Sequence, residues 1–274
     1  MSTKVPSQIT EIVDELVTRF NNHFPNTLEG IYLHGSIALN AYIPNSSDID
    51  LIVTLNRPLT ESDTRYLEDI HREIAKKYRK PVLDGCYLLK SDLQLQAETG
   101  SRPYFNLGKV SWKPFIFDPI SGWILREKGI CITGPGIESF NLPADPKLLV
   151  DYVMANMNSY WAKRIKRNEH LVRYAFLFPN KLIDWEIQWT VLGISRQYYT
   201  LREKDIVSKA EAGRYSLDQM PQEWHPLIQE AIRIRERSKD HVANYSKKKR
   251  VQVLIRFMKY TLERSNQEWN SEIN

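Results

Sequence analysis

Leu33-His34-Gly35-Ser36 is followed, after eleven residues, by Asp48-Ile49-Asp50-Leu51. Leu28 to Leu33 reads as a strand, and Gly35-Ser36 closes it and opens a short helix. A glycine there lets backbone approach a phosphate, which the exposed N–H groups of the helix start and the Ser36 hydroxyl can bind. The Pro44-Asn45-Ser46-Ser47 turn leads into a second strand, Asp48 to Leu55. Asp48 and Asp50 lie two apart on it, so both carboxylates project from one face. Two same-face carboxylates among apolar neighbours are costly unless a cation sits between them. Hard oxygen ligands with a phosphate nearby favour magnesium. The next strand pattern, Pro81 to Leu89, carries a third acid, Asp84, able to complete the metal cage or accept the proton of an attacking hydroxyl.

The surrounding patterns set the architecture. Ile9, Ile12, Val13, Leu16 and Phe20 fall on one face of a helix, and Leu67, Ile70 and Ile74 mark another over Thr60 to Tyr78. Residues 92–118 mix Tyr104, Phe105, Trp112, Phe115 and Phe117 with Pro and Gly and show no clear period. Thr133-Gly134-Pro135-Gly136 marks a turn, and Asn141 to Pro146 reads as a linker. Beyond it, helical patterns run over about 147–168, 181–201, 203–213, 222–240 and 246–266. The expected fold class is α+β: a mixed-sheet domain over 1–143, followed by an all-α helical bundle over 144–274.

With 274 residues the chain has ample length for two cores. No apolar run approaches the roughly 18 residues of a membrane span, and the N-terminus lacks the layout of a signal peptide. Cys86 and Cys131 are the only cysteines, too few for a disulfide framework or a zinc knuckle. A cytoplasmic protein away from the membrane is expected. The net charge of +5 is uneven: residues 233–264 hold 11 basic and 3 acidic side chains. Such density could track a phosphate backbone. Apolar Val253, Leu254, Phe257 and Leu262 recur there at helical spacing, however, which favours a solvated amphipathic helix. No P-loop pattern and no Gly-x-Gly-x-x-Gly occurs, so ordinary kinase and dinucleotide-binding readings find no support.

The order strand, Gly-Ser, helix, turn, Asp-x-Asp strand, helix, strand with a third acid resembles the nucleotidyltransferase superfamily that shares its catalytic sheet with DNA polymerase beta. Ile31 to Ser36 and Asn45 to Val53 are similar to the aminoglycoside adenylyltransferases of the streptomycin/spectinomycin type. In that family the third acid is a Glu, followed seven residues later by Ser-Asp. Asp84 stands at the same distance from Ser91-Asp92 and shortens the arm by one methylene. Val191 to Tyr199 resembles the family's helix ending in Ser/Ala-Arg and an aromatic residue.

The resemblance implies a magnesium-dependent transfer of AMP from ATP to a hydroxyl of an aminoglycoside or aminocyclitol. It implies that Gly35, Ser36, Ser47, Asp48, Asp118, Arg196 and Lys209 bind the nucleotide. Asp48, Asp50 and Asp84 hold the metal, and Asp84 is the catalytic base or a metal ligand. Asp184-Trp185-Glu186 offers acidic and aromatic chemistry for a small cationic hydroxylated antibiotic, and Trp185 and Trp189, four apart, read equally well as one core face. The family's streptomycin-associated Trp and Asp fall on Leu177 and Leu182, so spectinomycin or another hydroxylated amine is expected at least as much as streptomycin. A monomer is expected, with no nucleic-acid partner. The competing readings are a nucleotidyltransferase acting on protein or tRNA through the basic segment, and an inactive binding module.

Overall fold

The structure is a computed structural model that describes residues 5–93, 100–143, 145–238 and 245–273. Ala144 of the expected linker, residues 94–99 of the aperiodic stretch and residues 239–244 of the basic segment lie outside the described residues. The chain divides into two compact units, Met1–Ala144 and Asp145–Asn274.

The first unit is built on a six-stranded mixed sheet. Its elements in chain order are α1 (Ser7–His23), β1 (Leu28–Leu33), α2 (Gly35–Ala38), β2 (Ile49–Leu55), α3 (Thr64–Lys77), β3 (Leu83–Leu89), β4 (Ser101–Asn106), β5 (Lys109–Pro114), α4 (Pro119–Lys128) and β6 (Ile130–Thr133). The strand order is β5-β4-β3-β2-β1-β6. Only β2 and β3 run parallel, joined through α3, and every other neighbouring pair is antiparallel.

Alternation along the strands divides the sheet into two faces. Ile49, Leu51 and Val53 of β2, with Leu83 and Tyr87 of β3, face the apolar stripes of α1 and α3. Ile52 and Cys86 point to the other side, where Tyr32, Phe115, Phe117, Leu125 and Phe140 form a second core. Asp50 and Asp84 precede Ile52 and Cys86 by two residues and so share that second face.

The aperiodic stretch holds a hairpin, β4–β5, with Asn106 paired to Lys109. Its two-residue turn, Leu107-Gly108, has positive φ at both positions, 51° and 74°. Such a turn normally announces itself with Asn-Gly or Asp-Gly. Leucine in the first position hides the signal. Helix α4 was also missed, although its start is locally written: Pro119 occupies the first turn and the Asp118 side chain accepts from the N–H groups of Ile120 and Ser121, both at 3.0 Å.

Among its described residues the second unit holds helices and no strand: α5 (Pro146–Asn156), α6 (Ala162–Leu171), α7 (Asn180–Glu203), α8 (Lys209–Gln219), α9 (His225–Glu236) and α10 (Lys247–Ile273). Two expected helices shift. The pattern over 147–168 is interrupted by a π-helical turn, Met157–Trp161. The helix expected at 203–213 instead begins at Lys209. Lys204 ends α7 in the left-handed region, and Ser208 and Glu211 form a reciprocal capping box that starts α8. Among the described residues no helix is long and apolar enough to cross a membrane.

Candidate active site

In the first unit, His34-Gly35-Ser36 folds back over Asp50. The His34 N–H donates to the Asp50 carbonyl at 3.1 Å, and the Ser36 N–H reaches Asp50 Oδ2 at 3.4 Å. Gly35 adopts φ +59°, and a Cβ there would stand 1.9 Å from Asp50 Oδ2. Glycine is therefore required twice, by the backbone and by the carboxylate lying against it. The Ser36 hydroxyl is buried without a hydrogen-bond partner. An orphaned hydroxyl at a tight glycine turn is suited to a phosphate oxygen.

Parallel register places Asp50 opposite Asp84 on adjacent strands. Burial raises the Asp84 carboxyl above its ordinary range, and the negative charges of Asp50 and Asp48 add to the rise. Asn106, opposite Asp84 across β4, opposes it with a side-chain hydrogen bond. His34 stands near Asp84 and Asp118, and burial holds its pKa down against the pull of both acids. Asp50, Asp84, His34 and Asp118 line a cleft of about 250 Å³ floored by Cys86, Tyr104, Phe115 and Phe117.

Not every expected site residue joins this cleft. Asp48 is exposed at the entrance of β2, and Ser47 is buried with its Oγ accepting from the Ile43 N–H at 3.0 Å. Ser47 thus shapes the turn that delivers the aspartates. Asp118 caps α4 and borders the cleft at the same time. Among the described residues no three His, Cys, Asp or Glu side chains gather closely enough to enclose a metal ion. The crowded Asp50–Asp84 pair nevertheless fits magnesium, which commonly takes one or two carboxylates and fills its shell with substrate phosphates and water. Asn106 and His34 were not anticipated. Asn106 depends on a hairpin register that sequence patterns did not reveal, whereas His34 adjoins Gly35 and was open to notice.

In the second unit, Arg196 lies on α7 and Lys209 opens α8, with Lys209 Nζ 5.7 Å from the Trp189 ring centroid. Asp184 pairs with Arg250 at 2.5 Å, and the same Arg250 pairs with Glu230 at 2.6 Å. Glu186 pairs with Arg164 at 2.7 Å and Arg167 at 3.5 Å, and accepts from Asn168 and Thr190, each at 3.0 Å. Trp185 is 48% exposed and stacks on Trp189 with centroids 5.9 Å apart. Asp184 and Glu186, adjacent in sequence to the same tryptophan, are thus held by different arginines. In the basic segment, Arg250, Arg256, Lys259 and Arg264 each close an ion pair within the bundle, as the amphipathic-helix reading expects.

Comparison with known proteins agrees with this geometry. A family model described as the nucleotidyltransferase domain matches residues 10–96. Another, the C-terminal domain of aminoglycoside adenylyltransferase, matches residues 179–261. An aminoglycoside (3'') (9) adenylyltransferase from Klebsiella pneumoniae is 24% identical over 248 residues, covering 83% of this chain and 84% of that protein. One from Shigella flexneri is also 24% identical, covering 84% of this chain and 87% of its own length. The crystal structure of a spectinomycin adenyltransferase from Enterococcus faecialis, with ATP and spectinomycin, shares the fold. It aligns with a TM-score of 0.64 at 17% identity, over 93% of this chain and 99% of that one. The α+β fold, with a mixed nucleotidyltransferase sheet and a helical C-terminal region, is that of a nucleotidyltransferase, and the chain is an enzyme of this type. Along both matched segments and the full-length relatives, it is similar to the aminoglycoside nucleotidyltransferases.

Proposed function

We propose that the chain transfers AMP from ATP to a hydroxyl of an aminoglycoside or aminocyclitol antibiotic, in a magnesium-dependent reaction that confers resistance. The observation that carries this reading is Asp84 set opposite Asp50, beneath the Gly35-Ser36 turn with its unpartnered hydroxyl. The related enzymes named above act on aminoglycosides, and the structural neighbour was crystallised with ATP and spectinomycin, which supports the same substrate classes here.

Ser36 and the turn N–H groups would bind a phosphate oxygen, with Asp118 and His34 bordering the nucleotide. Asp50 and Asp84, with Asp48 at the entrance, would hold magnesium, which when bound offsets phosphate charge. Asp84 would take the proton from the acceptor hydroxyl. Its oxygen then bonds the α-phosphorus as the bond to the β-phosphate oxygen breaks, releasing pyrophosphate. Arg196 and Lys209 would offset the charge of the leaving group. Raising the Asp84 carboxyl by burial suits a proton acceptor, because a more basic carboxylate takes the proton more readily. The remaining catalysis is positioning and charge stabilisation, as phosphoryl chemistry demands. A monomer in the cytoplasm is part of the proposal.

Incubating the protein with labelled ATP, magnesium and a panel of aminoglycosides and aminocyclitols, and following pyrophosphate release, tests it. Turnover on at least one antibiotic, reduced about 10²-fold or more by Asp84→Asn, is the expected result. Label appearing only on tRNA or protein would overturn the reading.

A further inference from the structure

Strand pairing lays one polar row across the sheet of the first unit. Asp50 stands opposite Asp84, Asp84 opposite Asn106, and Asn106 opposite Lys109. Directly paired residues share a face, so all four project from the side that carries the cleft. The row behind it is Ile52, Cys86, Tyr104 and Ser111, of which Cys86 and Tyr104 floor that cleft. Asp84 therefore has one neighbour on each side, at the interstrand spacing of about 4.8 Å. Asp50 repels its carboxylate, and Asn106 donates a side-chain hydrogen bond to it. Asn106 is itself exposed at the end of β4, outside the packed cores on either face.

An aspartate carboxylate turns about a broad sp³–sp² torsion, so a partner is needed to fix which way its oxygens face. Beside Asp50 the need is greater, because repulsion between the two charges drives the Asp84 carboxylate toward β4. Asn106 meets it there with a neutral amide. A lysine or arginine in that place would hold the carboxylate as firmly but would cancel the charge that a metal ion or a proton must find. An amide orients the group and leaves its charge in place. Hydrogen bonds of this kind commonly orient carboxylates that bind metal.

Resting on the adenylyltransferase reading, we infer that Asn106 is a positioning residue for the transfer step: its amide holds one oxygen of Asp84 away from Asp50 and keeps the other presented to the cleft. Asn106 acts through Asp84, which strand register alone brings beside it.

The test compares wild type, Asn106→Ala, Asp84→Asn and the double variant. Transfer of AMP from labelled ATP to spectinomycin and to streptomycin is followed in a single turnover with magnesium, alongside KM values and thermal melts. Asn106→Ala is expected to slow transfer about tenfold or more and to leave KM for ATP and antibiotic within about twofold of wild type. Its melting temperature should stay within about 2 °C, since the side chain is exposed. Asn106→Asp keeps the shape but replaces the donor with a further negative charge, and should be at least as slow. Added to Asp84→Asn, Asn106→Ala should slow transfer by less than about twofold more, because the group it acts on is already gone. An unchanged rate in Asn106→Ala, wild-type transfer in Asn106→Asp, or an equal further loss in the Asp84→Asn background would each overturn the inference. Absence of turnover on every antibiotic would defeat the adenylyltransferase reading. Crystal structures of wild type and Asn106→Ala then decide the inference separately: an Asp84 carboxylate that leaves its wild-type position in the variant supports it, and one that stays in place overturns it.

Discussion

Gly35→Ala should disable the enzyme while leaving the fold largely intact. Two costs follow from the geometry. A residue with a Cβ held at φ +59° carries roughly 1–2 kcal/mol of backbone strain. The new methyl would also lie 1.9 Å from Asp50 Oδ2 and 2.5 Å from its Cγ, far inside contact distance, so the carboxylate must swing away. Misplacing a group that positions the reactants by about 1 Å commonly costs about 10² in rate. The expected outcome is therefore a kcat reduced about 10²-fold or more, with thermal unfolding lowered by only several degrees, as about 1–2 kcal/mol implies. Gly122→Ala is the control. Its Cβ would meet Phe117 Cε1 at 3.2 Å, a contact that a small shift of the ring relieves, and its kcat should stay within about twofold of wild type. Pyrophosphate release and a thermal melt on the same preparations check both variants. Wild-type kcat in Gly35→Ala, or an equal loss in Gly122→Ala, would refute the reasoning.

Two further predictions concern stability. The buried Asp92 carboxylate accepts from Arg102 at 2.6 and 2.8 Å and from the Leu89 N–H at 2.8 Å, so Asp92→Ala should cost about 2–3 kcal/mol, read as a lower urea midpoint; the partial exposure of Arg102 keeps the figure below that of a fully buried pair. Asp92→Asn retains an acceptor for Leu89 and should lose less. His71 is buried between Tyr87 and Phe105, with its pKa pushed down to about 3 by burial. Because this lies below the value of about 6.5 in the unfolded chain, the unfolded state binds the extra proton, and stability falls as pH drops below about 6.5. Between pH 6.5 and 5 this group should withdraw about 2 kcal/mol, a dependence that His71→Gln removes. Parallel stability–pH curves for wild type and His71→Gln would contradict it.

Patterns of short period made the main elements legible. The stripe of Ile9, Ile12, Val13, Leu16 and Phe20 is buried as its spacing requires, and Leu67, Ile70 and Ile74 pack beside it. The strands that carry Asp50 and Asp84 were readable because alternation alone places Asp50 with Ile52 and Asp84 with Cys86 on the same side. The β4–β5 hairpin was not, since Leu107 occupies a turn position usually marked by Asn or Asp. The end of α7 and start of α8 were misjudged because the capping box at Ser208 and Glu211 sits beside an equally plausible helical run.

By itself the sequence carried the family resemblance, the order of strand and helix patterns and the same-face placement of Asp48 and Asp50, because these depend on residues near one another along the chain. The tertiary structure decided which charges have partners. Glu186 meets Arg164 across 22 residues and Asp184 meets Arg250 across 66, and Asn106 meets Asp84 only through strand register. A cation already beside a carboxylate weakens its pull on a ligand, and helix packing and strand register set which cation is near. The sequence therefore places acids beside Trp185, and the folded bundle determines that two arginines have already claimed one of them.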